Sequence, residues 1–363
     1  MATSGTYQFG SVPSEQLIVD AYERIGVLPD VMTAQQISTA QRTLNLLMSE
    51  WINRGLNLWT VKQELLGLIL NQSAYLLPLA TSDIKEASIR TSTRQLGGTA
   101  SASSGIAQNA FDGNSATACT QTAPNGNIAY QWGTQIAIQM VGIQSNALLS
   151  YTLVIESSND GVTWTQALSI AQQSYPVGQI IWSVIPAPSL ALYWRVRETG
   201  GVTLDIQEIY FNTLVNDIPV TRISRSEYMA IPNKNQSGRP TSFFVDRQIN
   251  PVVYLWPTPS VLYTTLFYTR VRELQDVGDM LDNAEIPQRF FEALTSGLAW
   301  KLAIKNLSMG NSSGSYYSAI LLTQKLSLLK EEYETAFNRA AQEDTERVPL
   351  RIYADTRQGW MSL

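Results

Sequence analysis

Between residues 83 and 212 the chain changes abruptly to Ser, Thr, Gly, Asn and Gln, with short β-forming runs and no helical period. The runs 136–143, 151–156, 179–184 and 193–197 alternate with turn signals such as Asn159-Asp160-Gly161 and Thr199-Gly200-Gly201. Short strands at regular spacing cannot bury their apolar sides singly. They do so by stacking two sheets, which predicts an all-β jelly-roll sandwich. A block of about 130 residues is a full domain in itself, so the flanking sequence must close around it.

Two helical patterns precede the block. Ser14 stands as an N-cap before Leu17, Ile18, Ala21 and Ile25, with Gly26 as the stop. Thr33 precedes a longer stripe of Ile37, Ala40, Leu44, Leu47, Met48 and Trp51, which Gly55 closes. These two are expected to pack as an antiparallel pair. Residues 58–70 read as extended, ending at 75–78.

After the block, 220–230 reads as a short helix. The segments 241–247, 252–256 and 263–272 read as a meander, turned by Pro257 and Pro259. Asp282 or Asn283 caps a helix with Pro287 in its first turn and an apolar side of Phe290, Phe291, Leu294, Leu298 and Leu302. A last helix carries Ile320, Leu321, Leu328, Leu329, Tyr333 and Phe337. The expected fold class is therefore α+β: a helical core with a small meander, formed by 1–82 and 214–344, interrupted by an all-β sandwich at 83–213. Residues 345–363 show no sustained period and are either a free end or an arm that orders on a partner.

Composition narrows the function. With 363 residues, 44% apolar and 15% charged, the chain can build more than one core. Its 25 Lys plus Arg against 30 Asp plus Glu leave no basic block to grip a phosphate backbone. Histidine is absent, which removes imidazole bases, triads and the usual zinc sets. A glycosidase would still have carboxylates to use, yet no pair is singled out by a local motif, and Glu331, Glu332 and Glu334 read as a solvated helix side. The expectation is a protein without catalysis. The single cysteine, Cys119, cannot form an intrachain disulfide, and the opening residues lack the basic and apolar regions of an export signal. No uncharged apolar run nears the roughly 20 residues of a membrane helix, so no membrane partner is expected.

The stretch from Leu44 to Trp59, with Leu47-Met48-Ser49-Glu50-Trp51 at its centre, resembles the tail accessory factor family, the head-to-tail adaptors of short-tailed bacteriophages. Tyr228-Met229-Ala230-Ile231-Pro232-Asn233-Lys234, Gly238-Arg239-Pro240 and Tyr254-Leu255-Trp256-Pro257-Thr258-Pro259 are similar to that family in the same order. The likeness spans 10–80 and 215–345. It implies a virion protein made in the host cytoplasm: a dodecameric ring under the portal protein, joined below to tail or nozzle proteins, through which DNA passes without sequence-specific binding. It also implies that 345–363 is a portal-binding arm, anchored by Arg347, Arg351, Ile352, Tyr353, Arg357 and Trp360. Trp51 and Trp59 read as core filling.

The block itself resembles the discoidin or coagulation-factor C-type domains, which include many carbohydrate-binding modules. The resembling residues are Thr99-Ala100-Ser101-Ala102-Ser103, Asn109-Ala110-Phe111-Asp112-Gly113-Asn114, Tyr130-Gln131-Trp132-Gly133 and the run from Glu156 to Trp164, closing with Tyr193-Trp194-Arg195-Val196-Arg197 and Ile206-Gln207-Glu208-Ile209. Cys119 stands where that family usually has a tryptophan, and the terminal cysteine pair of its animal members is missing. Bacterial members hold a structural calcium beside the Asp-Gly loop, and Asp112, Thr117 and Glu208 match its side-chain ligands by position. The alternative is a turn aspartate, a strand threonine and a solvated glutamate. The likeness also raises a second function, a module that binds cell-surface glycans; Trp164 and Trp194, its available aromatics, read rather as packing residues.

Overall fold

The computed structural model describes residues 12–54, 58–261, 264–309 and 316–344. They form two compact units: one gathers the residues up to Val61 and from Arg272 onward, the other spans Lys62–Val271.

In chain order the helices are α1 (Ser14–Ile25), α2 (Ala34–Asn53), α3 (Arg225–Ala230), α4 (Phe291–Met309) and α5 (Tyr316–Glu343). All but α3 belong to the first unit. Here α1 and α2 pack chiefly against α4, rather than against each other as expected, and α5 lies along α4 as well. The reason is that residues 293–299 of α4 are buried without a break, so this helix is the centre and has no polar side to spare. Gly297 permits the closeness: a Cβ there would come within 2.8 Å of the Tyr333 ring and 3.0 Å of Leu47.

Helix starts divide into one expected and three corrected. Thr33 caps α2 through a complete capping box with Gln36. Ser14, in contrast, is the first residue of α1 and Pro13 is its N-cap; the Ser14 hydroxyl donates to the carbonyls of Asp279 (3.1 Å) and Met280 (2.8 Å), tying α1 to that loop. Asp282 accepts from the Asp279 N–H and so closes a turn, and Pro287 precedes a 3₁₀ turn, Gln288–Phe290, that leads into α4. The short helix expected over 220–230 begins only at Arg225, capped by Ser224 and Glu227.

Among the described residues there are eighteen strands, and they build the second unit. The first ten are β1 (Val61–Gly67), β2 (Ala74–Leu76), β3 (Thr81–Arg94), β4 (Thr99–Ala102), β5 (Cys119–Thr120), β6 (Asn127–Ala137), β7 (Met140–Ser145), β8 (Leu149–Ser158), β9 (Thr165–Tyr175) and β10 (Ile180–Val184). They are followed by β11 (Leu190–Glu198), β12 (Asp205–Pro219), β13 (Thr221–Arg222), β14 (Ser237–Gly238), β15 (Ser242–Asp246), β16 (Val252–Trp256), β17 (Thr258–Pro259) and β18 (Thr265–Arg272). The run 136–143 is thus two strands, not one.

One sheet runs β4-β6-β11-β8-β9. It faces the β12, β7 and β10 end of a second sheet ordered β1-β18-β3-β12-β7-β10, and Tyr130, Trp132, Tyr151, Ile155, Trp194 and Phe211 fill the space between. The other end of that second sheet shares a separate core with the four-stranded sheet β13-β15-β16-β2, built on Ile84, Ile89, Phe243, Val253, Leu255 and Tyr268.

The strands β3 and β12 join the two cores: β12 gives Ile206, Ile209 and Phe211 to the sandwich, β3 gives Ile84, Ala87 and Ile89 to the other, and the two pair antiparallel from Arg94↔Asn212 to Ser88↔Pro219. The boundaries expected at 82/83 and 213/214 fall inside them. Ile84, Ala87 and Ile89 belong to the core shared with β13-β15-β16-β2, so an excision beginning at Asp83 would strip it of these three buried residues. A cut that respects the ladder joins Arg94 to its partner Asn212 through an Asn-Gly turn, which suits a two-residue hairpin. We expect this shortened chain to be soluble and to melt cooperatively by calorimetry, whereas removal of 83–212 should not; equal behaviour of both would place the boundary elsewhere.

Candidate functional site

The three residues proposed as cation ligands come together. Glu208, in β12, is 1% exposed and lies beside the Asp112 carboxyl, each acting on the other's protonation. Asp112 opens a tight loop in which Gly113 takes φ +77°, a left-handed conformation that favours glycine. The Asp112 Oδ1 atom accepts from the Asn114 N–H at 2.8 Å, and its Oδ2 accepts from the Thr117 hydroxyl at 2.8 Å. Gln207 anchors the same loop by donating to the Ser115 carbonyl.

Electrostatics sharpen the picture. Burial lifts the Glu208 carboxyl above its ordinary pKa, and the Arg94 guanidinium only partly offsets this. At Asp112 burial also acts upward, but the Thr117 hydroxyl and Asn114 N–H outweigh it and hold the group below its usual range. Glu208 Oε1 is buried with no hydrogen-bond partner, while Oε2 takes Arg94 Nη2 at 2.5 Å. Among the described residues no three Asp, Glu or Cys side chains gather as a metal cluster; the site is two carboxylates and a hydroxyl. A donorless buried carboxylate oxygen beside a second carboxylate suits a hard cation. Asp112, Thr117 and Glu208 are the residues that would hold calcium. Bound there, it would supply a crosslink between the 112–117 loop and β12.

A second charged group lies on the outer side of the five-stranded sheet. Glu156 is shared by Arg195 Nε at 2.5 Å and Arg197 Nη2 at 2.7 Å, and Arg195 also covers the Trp164 ring at 4.0 Å. Trp194 is fully buried. Trp194 thus has no ring face to offer, and the half-buried Trp164 has one face occupied by Arg195. A polar depression of about 450 Å³ opens nearby, edged by Ser157, Ser158, Asn159, Thr163 and Ser189, and no aromatic residue lines it.

Burial pushes the Glu156 carboxyl upward, but bonds from Arg197 and Arg195 prevail and depress it. A depressed carboxylate contributes stability above its unfolded pKa, near 4.3, and loses it as the pH falls through the folded value. We expect Glu156→Gln to cost roughly 1–3 kcal/mol at pH 7, a difference that begins to narrow below about pH 4.3 and closes only as the pH falls through the depressed folded value. Denaturant melts of both chains across pH 3–7 would show it; a gap that does not narrow would exclude the ion pair as its cause.

The proposed arm residues Arg347, Arg351, Ile352, Tyr353, Arg357 and Trp360 lie outside the described residues. The last described residue, Asp344, is buried and accepts from Arg289. Sequence reasoning missed Arg94, whose partner lies in a strand more than a hundred positions away. Among the described residues no helix is long and apolar enough to cross a membrane.

Among solved structures, the chain is similar to a pectin-binding carbohydrate-binding module at 19% identity, over 33% of this chain and 93% of that one, with a TM-score of 0.30. It is similar to the family 32 module of Clostridium perfringens NanJ in complex with galactose at 18% identity, over 34% and 99%, with a TM-score of 0.29. For the F5/8 type C domain of a Bacteroides fragilis protein the values are 12% identity, 34% and 95%, and 0.30. No curated protein matches the chain. Residues 161–353, just over half of the sequence, match the family described as SU10 adaptor protein. The chain belongs to the SU10 adaptor protein family, a family of phage adaptors.

Proposed function

We propose that this protein is a structural head-to-tail adaptor of a phage neck, one subunit of a dodecameric ring seated under the portal protein. In this reading the ring extends the DNA channel towards the tail or nozzle proteins, the sandwich decorates the neck, and the chain performs no catalysis. The family match carries the reading. The fold is compatible with it: α1 and α2 from the start of the chain and α4 and α5 from its end close one core, which suits a module built to be stacked rather than to enclose a substrate.

A mildly acidic chain, with 30 acidic against 25 basic residues, suits a channel wall that must let DNA slide. The second reading, glycan capture by the sandwich, would need an aromatic platform with convergent polar groups. Trp194 is buried, Arg195 occupies one face of Trp164, and no aromatic residue lines the polar depression nearby, so such a platform has little support. The test is to mix the purified chain with portal rings and follow sedimentation and negative-stain images. Capped portal rings with copy number set by the portal are expected; a mixture that stays as two separate species sinks the reading.

A further inference from the structure

Arg94 is the last residue of β3 and the ladder partner of Asn212. Its side chain is only 8% exposed. The guanidinium lies over the Tyr210 ring at 4.3 Å, and Nη2 donates to the Ile209 carbonyl at 2.8 Å and to Glu208 Oε2 at 2.5 Å. A planar cation held by a ring, a carbonyl and a carboxylate is fixed in place and always charged.

The oxygen site of Asp112, Thr117 and Glu208 uses the same carboxylate from its other side, since Glu208 Oε1 has no donor. Glu208 thus stands between two positive charges when the metal is bound, and keeps one of them when it is not. Leaving a buried carboxylate with no partner is strongly destabilising; Arg94 prevents that state. The two cations also repel each other at close range, which weakens metal binding.

We propose that Arg94 is an internal counter-cation that makes calcium dispensable for the folding of the sandwich. The wild-type chain then stands without the metal and binds it only weakly. Without Arg94, the buried carboxylate has the metal as its one source of positive charge, and folding becomes calcium-dependent.

Thermal melts of the full chain in calcium chloride and in EDTA test this, with Arg94→Met to remove the charge and Arg94→Lys to keep it. Wild type and Arg94→Lys should melt within about 1 °C in the two buffers. Arg94→Met should melt lower in EDTA by roughly 5 °C or more and regain most of the loss in calcium, because a ligand of the native state alone stabilises by mass action. Adding Glu208→Gln to Arg94→Met should abolish the calcium response. The proposal fails if Arg94→Met responds to calcium no more than wild type does, or if wild type itself loses several degrees in EDTA. Should Arg94→Met be unfolded in EDTA, refolding on calcium addition supports the proposal and failure to refold overturns it.

Discussion

Replacing Trp51 by alanine is expected to destabilise the helical unit by about 3–5 kcal/mol, the range for a large aromatic removed from a packed core. Trp51 is 1% exposed and sits between Phe290 and Phe337, with ring centroids at 5.5 and 5.4 Å. Its Nε1 donates to the Tyr333 hydroxyl at 3.0 Å, the buried bond that links α2 to α5. Alanine leaves both a cavity and a buried hydroxyl without its donor, and the two costs add. Trp51→Phe keeps most of the volume and loses chiefly the hydrogen bond, so its cost should be nearer 1–2 kcal/mol. Urea unfolding followed by helical circular dichroism measures both. Equal losses in the two variants would show that the hydrogen bond, not the ring packing, dominates.

The second large effect concerns the C-terminal segment. A segment without periodicity that orders on a partner loses conformational entropy at that moment, so its anchors have to recover the loss. Arg347, Arg351 and Arg357 offer forked donors to carboxylates, and Ile352, Tyr353 and Trp360 offer side chains that fill pockets, the types that dominate interface energetics. Deleting the residues after Asp344 should leave a folded, soluble monomer. The helix before it is secured independently, by Tyr333 and Phe337 in the core and by Arg289 on Asp344. Association with portal should fall by at least about 100-fold, the scale for losing two or more hot-spot side chains. Surface-bound portal titrated with both chains gives the ratio, and equal affinities would make the segment a free end.

Much of this architecture was legible in the residues. The stripe that follows Thr33 is a purely local signal and the structure has the helix there, started by a capping box between Thr33 and Gln36 that sequence reasoning did not name. The sandwich strands were readable because turn residues such as Asn159-Asp160-Gly161 fall between period-two runs, and the Ser158 hydroxyl and Asp160 carboxylate do close that turn.

What escaped was non-local. Nothing in the sequence marks where the sandwich ends and the neighbouring core begins, because the paired ladder of β3 and β12 continues from one to the other. The central place of α4 was hidden for a related reason: a helix buried without a break over 293–299 has no polar stripe there to orient it. Ser14 has the chemistry of a cap, and only the neighbouring loop at 279–280 takes its hydroxyl elsewhere. At the oxygen site, Asp112, Thr117 and Glu208 could be named from a motif, but Arg94 belongs to no motif, and only the fold places it against Glu208.

The most direct measurement of the central claim is an averaged image of the intact virion's neck from particles carrying this chain. The account expects a ring of copies between portal and tail, coaxial with the channel, with one sandwich-sized lobe per copy that disappears when Arg94 is joined to Asn212 through a two-residue turn. Density for this chain found at the capsid surface or at fibre tips, with the space below the portal filled by another protein, would contradict it.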